Sequence, residues 1–312
     1  MKEKSHGMAS VLAALAANIL VAISKFVGFA LSGSTAMLNE SIHSVVDCGN
    51  EILLLVGDKR AKGMVSENHP FGESRAKYFF SIVVVMMLFF AGGALGIMEA
   101  SEKLFHPEHS VENTWLVMGI LVFGLIVECF SLRVALKEIA ELNTENLPLF
   151  RFLRESRHSE VLIIFAEDAC AVVGLLLAML GTILVAVTGL AFFDALSGLL
   201  IGLMLCLAAL FLAREFYGLI IGESMTSNDR RLMNRAFERE EIKHLISLKT
   251  IHLSSTNILV AAKVEMQDAY RAESAGVINR IEEEIRKSFS HYKIYIYIET
   301  DVYQSDYQVK SE

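Results

Sequence analysis

The sequence predicts a helical membrane protein, a bundle of six transmembrane helices followed by a small α+β domain. Three observations support this prediction. The 312 residues are 54% hydrophobic and only 21% charged, and the mean hydropathy of +0.46 is above that of most soluble globular proteins. Apolar stretches of spanning length recur up to residue 212, whereas residues 223–312 are rich in charges and contain none.

The transmembrane part is defined by the length of these stretches. A helix needs about 20 apolar residues to cross the hydrocarbon core of a bilayer. Stretches of this kind occur at residues 11–31, 36–56, 78–98, 115–134, 161–187 and 190–212. We therefore divide the chain into a six-span domain, residues 1–222, and a soluble domain, residues 223–312.

The soluble domain shows both helical and strand patterns. Residues 227–242 and 271–288 have the spacing of amphipathic helices, and residues 245–253, 257–265 and 293–299 alternate apolar and polar side chains as strands do. The predicted order is αββαβ. A three-stranded sheet has open edges, so pairing with a second copy of the chain is expected.

Basic residues cluster in alternate connections. Lys and Arg are frequent between spans 2 and 3 and between spans 4 and 5, whereas Lys103 alone follows span 3 and none follows spans 1 and 5. By the positive-inside rule both termini are then cytoplasmic. Residues 8–31 are too long for a signal-peptide apolar region and no Arg-rich transit pattern precedes them. Together with the compact loops, this favours a bacterial inner membrane.

One face of span 2 is polar. Spacings of three and four residues align its imidazole and carboxylate side chains, which are Glu40, His43, Asp47 and Glu51. An ionised carboxylate near a bilayer centre costs roughly 2.5–3.5 kcal/mol, so such a group usually has a partner or a task. His43 and Asp47, four residues apart, can offer a nitrogen and an oxygen to one Zn²⁺ or other first-row divalent ion.

Further ligands are expected from span 5, where Glu167 and Asp168 are adjacent. Asp168 is the first choice. Neighbouring helical residues diverge by about 100°, so the two carboxylates are not expected to reach one ion together, and one of them would instead hydrogen-bond to a ligand. Asn18 of span 1 offers a further neutral oxygen.

The alternative is that these side chains pair with Lys25 or with each other and only hold the bundle together. A stripe with both His and Asp, together with an acidic pair in a later span, favours a metal pathway, because ionisable groups inside membranes commonly mark ion or proton routes. Glu128 in span 4 is equally compatible with two roles, lining the ion route and forming a structural hydrogen bond.

At these residues the chain resembles the cation diffusion facilitator family of metal/proton antiporters, and within it the zinc transporter 9-like branch. The matching features are Gly33-Ser34-Thr35-Ala36 at the start of span 2, His43 and Asp47 within it, His69-Pro70-Phe71-Gly72 after it, Glu167-Asp168-Ala169 in span 5, and the small C-terminal domain.

The resemblance implies a homodimeric efflux transporter that exchanges a divalent metal for protons by alternating access. It implies a ferredoxin-like cytoplasmic dimerisation domain, no tightly bound cofactor and no nucleic-acid partner. Many zinc members have a further ligand four residues before Asp168, where this chain has Ile164. The fourth ligand is then left to Glu167, Glu40, Asn18 or water, with Zn²⁺ favoured over Mn²⁺, Fe²⁺, Co²⁺ and Ni²⁺.

Two other classes of function compete with transport. One is a non-transporting membrane metal sensor or scaffold whose soluble domain binds partners. The other is an intramembrane metallohydrolase, which the sequence disfavours because it contains no H-E-x-x-H motif. We therefore expect a transporter and not an enzyme.

Overall fold

The computed structural model of the chain describes residues 8–63, 65–105, 114–143 and 146–304. The chain forms two compact units, which we call the helical unit and the mixed unit. The helical unit comprises Met1–Ala61 and Ala76–Tyr217, and the mixed unit comprises Lys62–Arg75 and Gly218–Glu312.

The helices of the first unit follow the predicted apolar stretches. They are α1 (Met8–Ser32), α2 (Thr35–Ala61), α3 (Ala76–Phe105), α4 (Thr114–Leu142), the short α5 (Leu149–Glu155), α6 (Ser159–Thr188) and α7 (Phe192–Ile221).

Within the described residues, four helices have the length and apolar composition to cross a membrane, namely α3, α4, α6 and α7. The chain is therefore an integral membrane protein, and four of the six predicted spans are confirmed. The described apolar part of α1, Asn18–Ser32, is shorter. Helix α2 is long enough, but Glu40, Asp47 and Glu51 interrupt its apolar character. Membrane crossing by α1 and α2 stays a prediction.

The turn between α1 and α2 is fixed by a carboxylate from α7. Gly33 has a φ of +64°, the left-handed conformation that ends many helices. Asp194 then accepts hydrogen bonds from the Ser34 hydroxyl and from the backbone N–H of Thr35. A carboxylate at this position satisfies free N–H groups and complements the positive end of the helix dipole.

Helix α2 is also tied to its neighbours one turn further along. The Asn39 side-chain amide donates to the carbonyl oxygen of Gly198 on α7 at 2.8 Å and to that of Gly96 on α3 at 3.4 Å. Both glycines lie so close to Asn39 that a methyl group would crowd it. Small residues of this kind let helix backbones approach in membranes.

Helix α3 changes its winding at Leu88–Ala94, where seven residues form a π-helical segment. The segment includes Gly92 and Gly93, which are buried. Gly93 meets Cys206 and Gly202 of α7 without room for a side chain. The π segment therefore coincides with the close approach of α3 to α7.

The mixed unit has the order αββαβ expected from the sequence. Its elements are α8 (Ser227–Arg235), β1 (Ile242–His252), β2 (Asn257–Met266), α9 (Ser274–Ser288) and β3 (Lys293–Thr300). The predicted helix over residues 227–242 was too long at its C-terminal end, because the chain turns after Arg235 and β1 begins at Ile242.

The sheet of the mixed unit has the strand order β1-β2-β3. Strands β1 and β2 are antiparallel, with Leu245 opposite Val264, and β2 and β3 are parallel, with Ile258 opposite Ile294. Val277, Ile281 and Ile285, at helical spacing along α9, are fully buried in the core of this unit, which includes apolar side chains of the sheet. That spacing places the apolar stripe of α9 on one face.

Candidate cation site

A cavity of about 600 Å³ lies inside the helical unit, with walls from α1, α2, α3, α4 and α6. Its walls are rich in carboxylates, which come from Asp47, Glu51, Asp58, Glu128, Glu160, Glu167 and Asp168. Among the described residues that line it, Lys77 is the one basic side chain. Excess negative charge on low-dielectric walls attracts cations.

On α2, the two residues at spacing i and i+4 are neighbours in space. The Nδ1 atom of His43 lies 3.6 Å from Oδ1 of Asp47. His43 is fully buried, and neither of its ring nitrogens makes a hydrogen bond of normal geometry with a described residue. The side chain of Asp47 is 21% exposed and reaches the cavity. This face of α2 thus carries an imidazole and a carboxylate side by side.

On α6, the adjacent carboxylates take different partners. Oε1 of Glu167 accepts a hydrogen bond from the side-chain amide of Asn50 on α2. Oδ2 of Asp168 accepts one from the hydroxyl of Ser131 on α4, at 2.9 Å. Both carboxylates line the same cavity. They diverge as neighbouring helical residues must, so Glu167 faces α2 and Asp168 faces α4.

Glu40 has a different environment. Its Oε2 atom lies 3.0 Å from Nζ of Lys25 on α1, and both side chains are almost completely buried. Glu40 is not among the residues that line the cavity. Of the five side chains that the sequence nominates, Asp47, Glu167 and Asp168 line the cavity, His43 adjoins Asp47, and Glu40 is paired with Lys25.

These side chains surround the cavity without converging on one point. Within the described parts of the chain, no three or more His, Cys, Asp and Glu side chains are close enough together to hold a metal ion. Asp47 on α2 and Asp168 on α6 therefore line a shared cavity and are not ligands of a preformed shell. For both to bind one ion, their side chains or helices would have to move together.

Sequence reasoning missed Ser131, Asp58 and Glu160, which line the cavity, and Asn50, which contacts the lining residue Glu167. Asn50 and Ser131, which hold Glu167 and Asp168, are short polar residues common in membrane helices for packing alone. Asp58 and Glu160 lie in end turns of their helices, where charges are ordinary. Asn18, expected to offer an oxygen, lines the cavity and donates its amide N–H to Glu51 at 3.3 Å.

His69, considered with the turn after α2, belongs to the mixed unit. Its Nδ1 atom lies 3.7 Å from Oε1 of Glu73, and its side chain is 56% exposed. One imidazole and one carboxylate do not form a closed zinc shell. This pair lies outside the cavity described above.

The chain has recognisable relatives. Residues 11–221 match the family model of the cation efflux transmembrane domain. The chain is 27% identical over 239 residues to the human "Proton-coupled zinc antiporter SLC30A9, mitochondrial", an alignment that covers 76% of this chain and 40% of that protein. It is 26% identical over 227 residues to "Metal tolerance protein C4" of Arabidopsis thaliana, covering 72% of this chain and 49% of the plant protein.

The alignment with an archaeal relative covers more of both chains than the two alignments above. The "Uncharacterized transporter MJ0449" of Methanocaldococcus jannaschii is 23% identical over 295 residues, which is 91% of this chain and 97% of that protein. By contrast, this chain spans about 40% of the length of the human relative.

Proposed function

The chain belongs to the cation efflux family, and we propose on this premise that it exports a divalent transition-metal cation, Zn²⁺ in first place, in exchange for protons. The membership confirms the resemblance to the cation diffusion facilitators, close to the branch of the human antiporter. It also confirms that the chain belongs among transporters and not among enzymes.

The observation that carries the proposal is the cavity shared by α2 and α6. Asp47 enters it from one helix and Glu167 and Asp168 from the other, and His43 adjoins Asp47. Imidazole nitrogens and carboxylate oxygens are suitable ligands for Zn²⁺ and for several other first-row divalent ions. Membrane helices that differ in tilt or rotation between two states would bring these ligands together and separate them again.

In this proposal His43, Asp47 and Asp168 bind the ion, and Glu167 or water completes the shell. Glu167 is placed to take part because it lines the cavity and faces α2, where Asn50 is its present partner. Glu40 is the weakest candidate of the five, since Lys25 already neutralises it in a buried pair. The oxygen-rich ligand set would also accept Mn²⁺.

Proton exchange follows from the chemistry of these ligands. Metal binding requires a neutral imidazole and ionised carboxylates, so it releases protons, and reprotonation on the other side weakens the site. One pH unit supplies about 1.36 kcal/mol per proton, enough to bias metal release roughly tenfold. Alternating access of the cavity to the two sides completes the cycle.

The proposed topology has six spans, α1 and α2 included, and both termini in the cytoplasm. The asymmetry of Lys and Arg between connections supports this orientation. The proposed domains are residues 1–222 and 223–312, and the second of them has a ferredoxin-like fold that pairs two chains in a homodimer. A bacterial inner membrane stays the predicted location.

The test is metal flux in proteoliposomes under an imposed pH gradient. We expect Zn²⁺ to move in the native chain, and flux to be lost in Asp47→Ala and in Asp168→Ala. Glu141→Ala is the matched control, because Glu141 is a 70% exposed carboxylate of α4 outside the cavity. It should transport at the native rate.

Two outcomes would contradict the proposal. Binding of Zn²⁺ by the native chain without flux would favour the metal sensor. Flux that persists in both aspartate variants would remove Asp47 and Asp168 from the ligand set. Loss of flux on collapsing the pH gradient, with metal binding intact, would support proton exchange.

A further inference from the structure

Three charged side chains meet at one end of the cavity. Nζ of Lys77, in the first turn of α3, lies 2.9 Å from Oδ1 of Asp58 on α2 and 3.4 Å from Oε1 of Glu160 on α6. All three residues line the cavity. One ammonium group therefore joins the two helices that carry the proposed metal ligands.

The position of this triad relative to the ligands follows from helix geometry. At 1.5 Å per residue, Asp58 lies about 16 Å along α2 from Asp47, and Glu160 lies about 12 Å along α6 from Asp168. Lys59 and Arg60 follow Asp58 directly. The triad is thus at the end of the cavity that faces the cytoplasm in the proposed topology, with the ligands deeper inside.

Helix α3 has a second connection to α6 that involves no charge. The hydroxyl of Ser81 donates to that of Ser159 at 2.9 Å, and both residues are fully buried. Next to it, the Tyr78 hydroxyl donates to the carbonyl oxygen of Arg157. These bonds hold α3 beside α6, and Phe80 of α3 packs against Gly57 of α2. What Lys77 adds is therefore the bridge between the carboxylates of α2 and α6 at this end of the cavity.

We propose that Asp58, Lys77 and Glu160 form a latch that ties α2 to α6 and closes the cytoplasmic end of the cavity. This inference rests on the proposed function for its orientation. The three side chains are 40%, 27% and 32% exposed, and ion pairs of such exposure are weak. The latch therefore opens by thermal motion, and its opening admits a cation to Asp47 and Asp168.

The latch is tested by the accessibility of the cavity in the absence of metal. The reporter is Leu54→Cys, a cavity position one turn from Asp58, in the full chain with the four native cysteines replaced by alanine. The measured quantity is its rate of reaction with a methanethiosulfonate ethylammonium reagent. We expect Lys77→Met to raise this rate up to about fivefold, the population change that follows from loss of a partly exposed ion pair.

Two variants serve as controls. Lys77→Arg keeps the positive charge and should leave the reaction rate near the native value. Lys137→Met removes a lysine whose partner, Glu141, is on the same helix at 3.9 Å. It should leave the rate unchanged.

A second way of breaking the latch keeps the test decisive if Lys77→Met does not fold. The double variant Asp58→Asn with Glu160→Gln removes both acceptor charges and should raise the rate by a similar factor. Unchanged rates in every folded variant would overturn the latch. A rise with Lys77→Met and none with the double variant would overturn it too, because charge repulsion would then be the cause. The labelling experiment contains no metal, so it tests the latch even if the chain does not transport Zn²⁺.

Discussion

Lys25 and Glu40 form an ion pair that is almost completely excluded from solvent. The two side chains are 1% and 0% exposed and their charged atoms lie 3.0 Å apart. Removing two charges from water is costly, so such a pair contributes little net stability, but a single remaining charge costs much more. The pair therefore constrains how α1 and α2 pack, whatever its effect on transport.

Each single replacement in this pair should destabilise the protein. We expect Lys25→Met and Glu40→Gln each to lower the free energy of unfolding by about 3–5 kcal/mol, because the remaining partner is buried without its counter-charge. The double variant should recover most of the loss. Chemical unfolding in detergent micelles measures all three, and near-native stability of both single variants would contradict the pairing.

Glu265 on β2 gives the mixed unit a dependence on pH. The pKa of its carboxyl is held below the ordinary value of 4.5 by hydrogen bonds from His244 and from Lys243. A carboxyl with a lowered pKa in the folded state stabilises that state above the ordinary value, and this contribution is lost as pH falls through the lowered pKa. The stabilisation is therefore present at neutral pH and absent in acid.

Glu265→Gln should remove this contribution. We expect the variant to have a lower melting temperature than the native chain at neutral pH, and the difference to shrink as pH falls below 4.5. Glu283→Gln is the control, since Glu283 forms an exposed pair with Lys287 on α9 and should show a smaller difference. A difference for Glu265→Gln that is constant with pH would contradict the expectation.

Among the helices, α2 and α6 approach closely at Gly174. A methyl group at Gly174 would overlap the carboxylate of Glu40. That carboxylate is held in place by Lys25, so it has little room to move. Glycine is therefore required at this position of α6 by the ion pair between Lys25 of α1 and Glu40 of α2.

Gly174→Ala should disturb this contact. We expect a loss of about 1–3 kcal/mol in the free energy of unfolding, as for overpacked interiors. Gly119→Ala on α4 is the matched control, because nothing lies within 4 Å of the added methyl group. It should be neutral or slightly stabilising, and equal effects of the two changes would argue against close packing at Gly174.

The elements were more predictable than their contacts. Helix lengths follow from apolar stretches, and the contact of His43 with Asp47 follows from a spacing within one helix. The pairing of Glu40 with Lys25, 15 residues apart on different helices, depends on how each helix is rotated about its axis. Spacing along the chain does not set that rotation, so the sequence left two roles for Glu40, metal ligand or partner of Lys25, and gave no sign of Ser131.

At the scale of the whole molecule, the six-span topology requires that α1 and α2 both cross the membrane. Leu31, near the end of α1, and Glu67, in the connection after α2, are both exposed. If α2 spans the bilayer, these two positions are on opposite sides of it.

Cysteine labelling distinguishes the two arrangements. With the native cysteines replaced, Leu31→Cys and Glu67→Cys should react with an impermeant thiol reagent from opposite faces of sealed vesicles. Leu190→Cys, between α6 and α7 and 56% exposed, should react from the same face as Leu31→Cys. Labelling of Leu31→Cys and Glu67→Cys from one face would exclude the six-span topology.

The π-helical segment Leu88–Ala94 determines how the two halves of α3 are rotated relative to each other. Before the segment, Ser81 bonds to α6, and after it Gly96 meets Asn39 of α2. Ordinary α winding of the same seven residues would turn the rest of the helix by about 100° and carry Gly96 away from α2, because each residue turns through a smaller angle in a π segment than in an α-helix. Deleting one residue of the segment would therefore leave the same residues facing α2, because six residues at α winding turn through nearly the same angle as seven at π winding. A second deletion would rotate Gly96 away from Asn39.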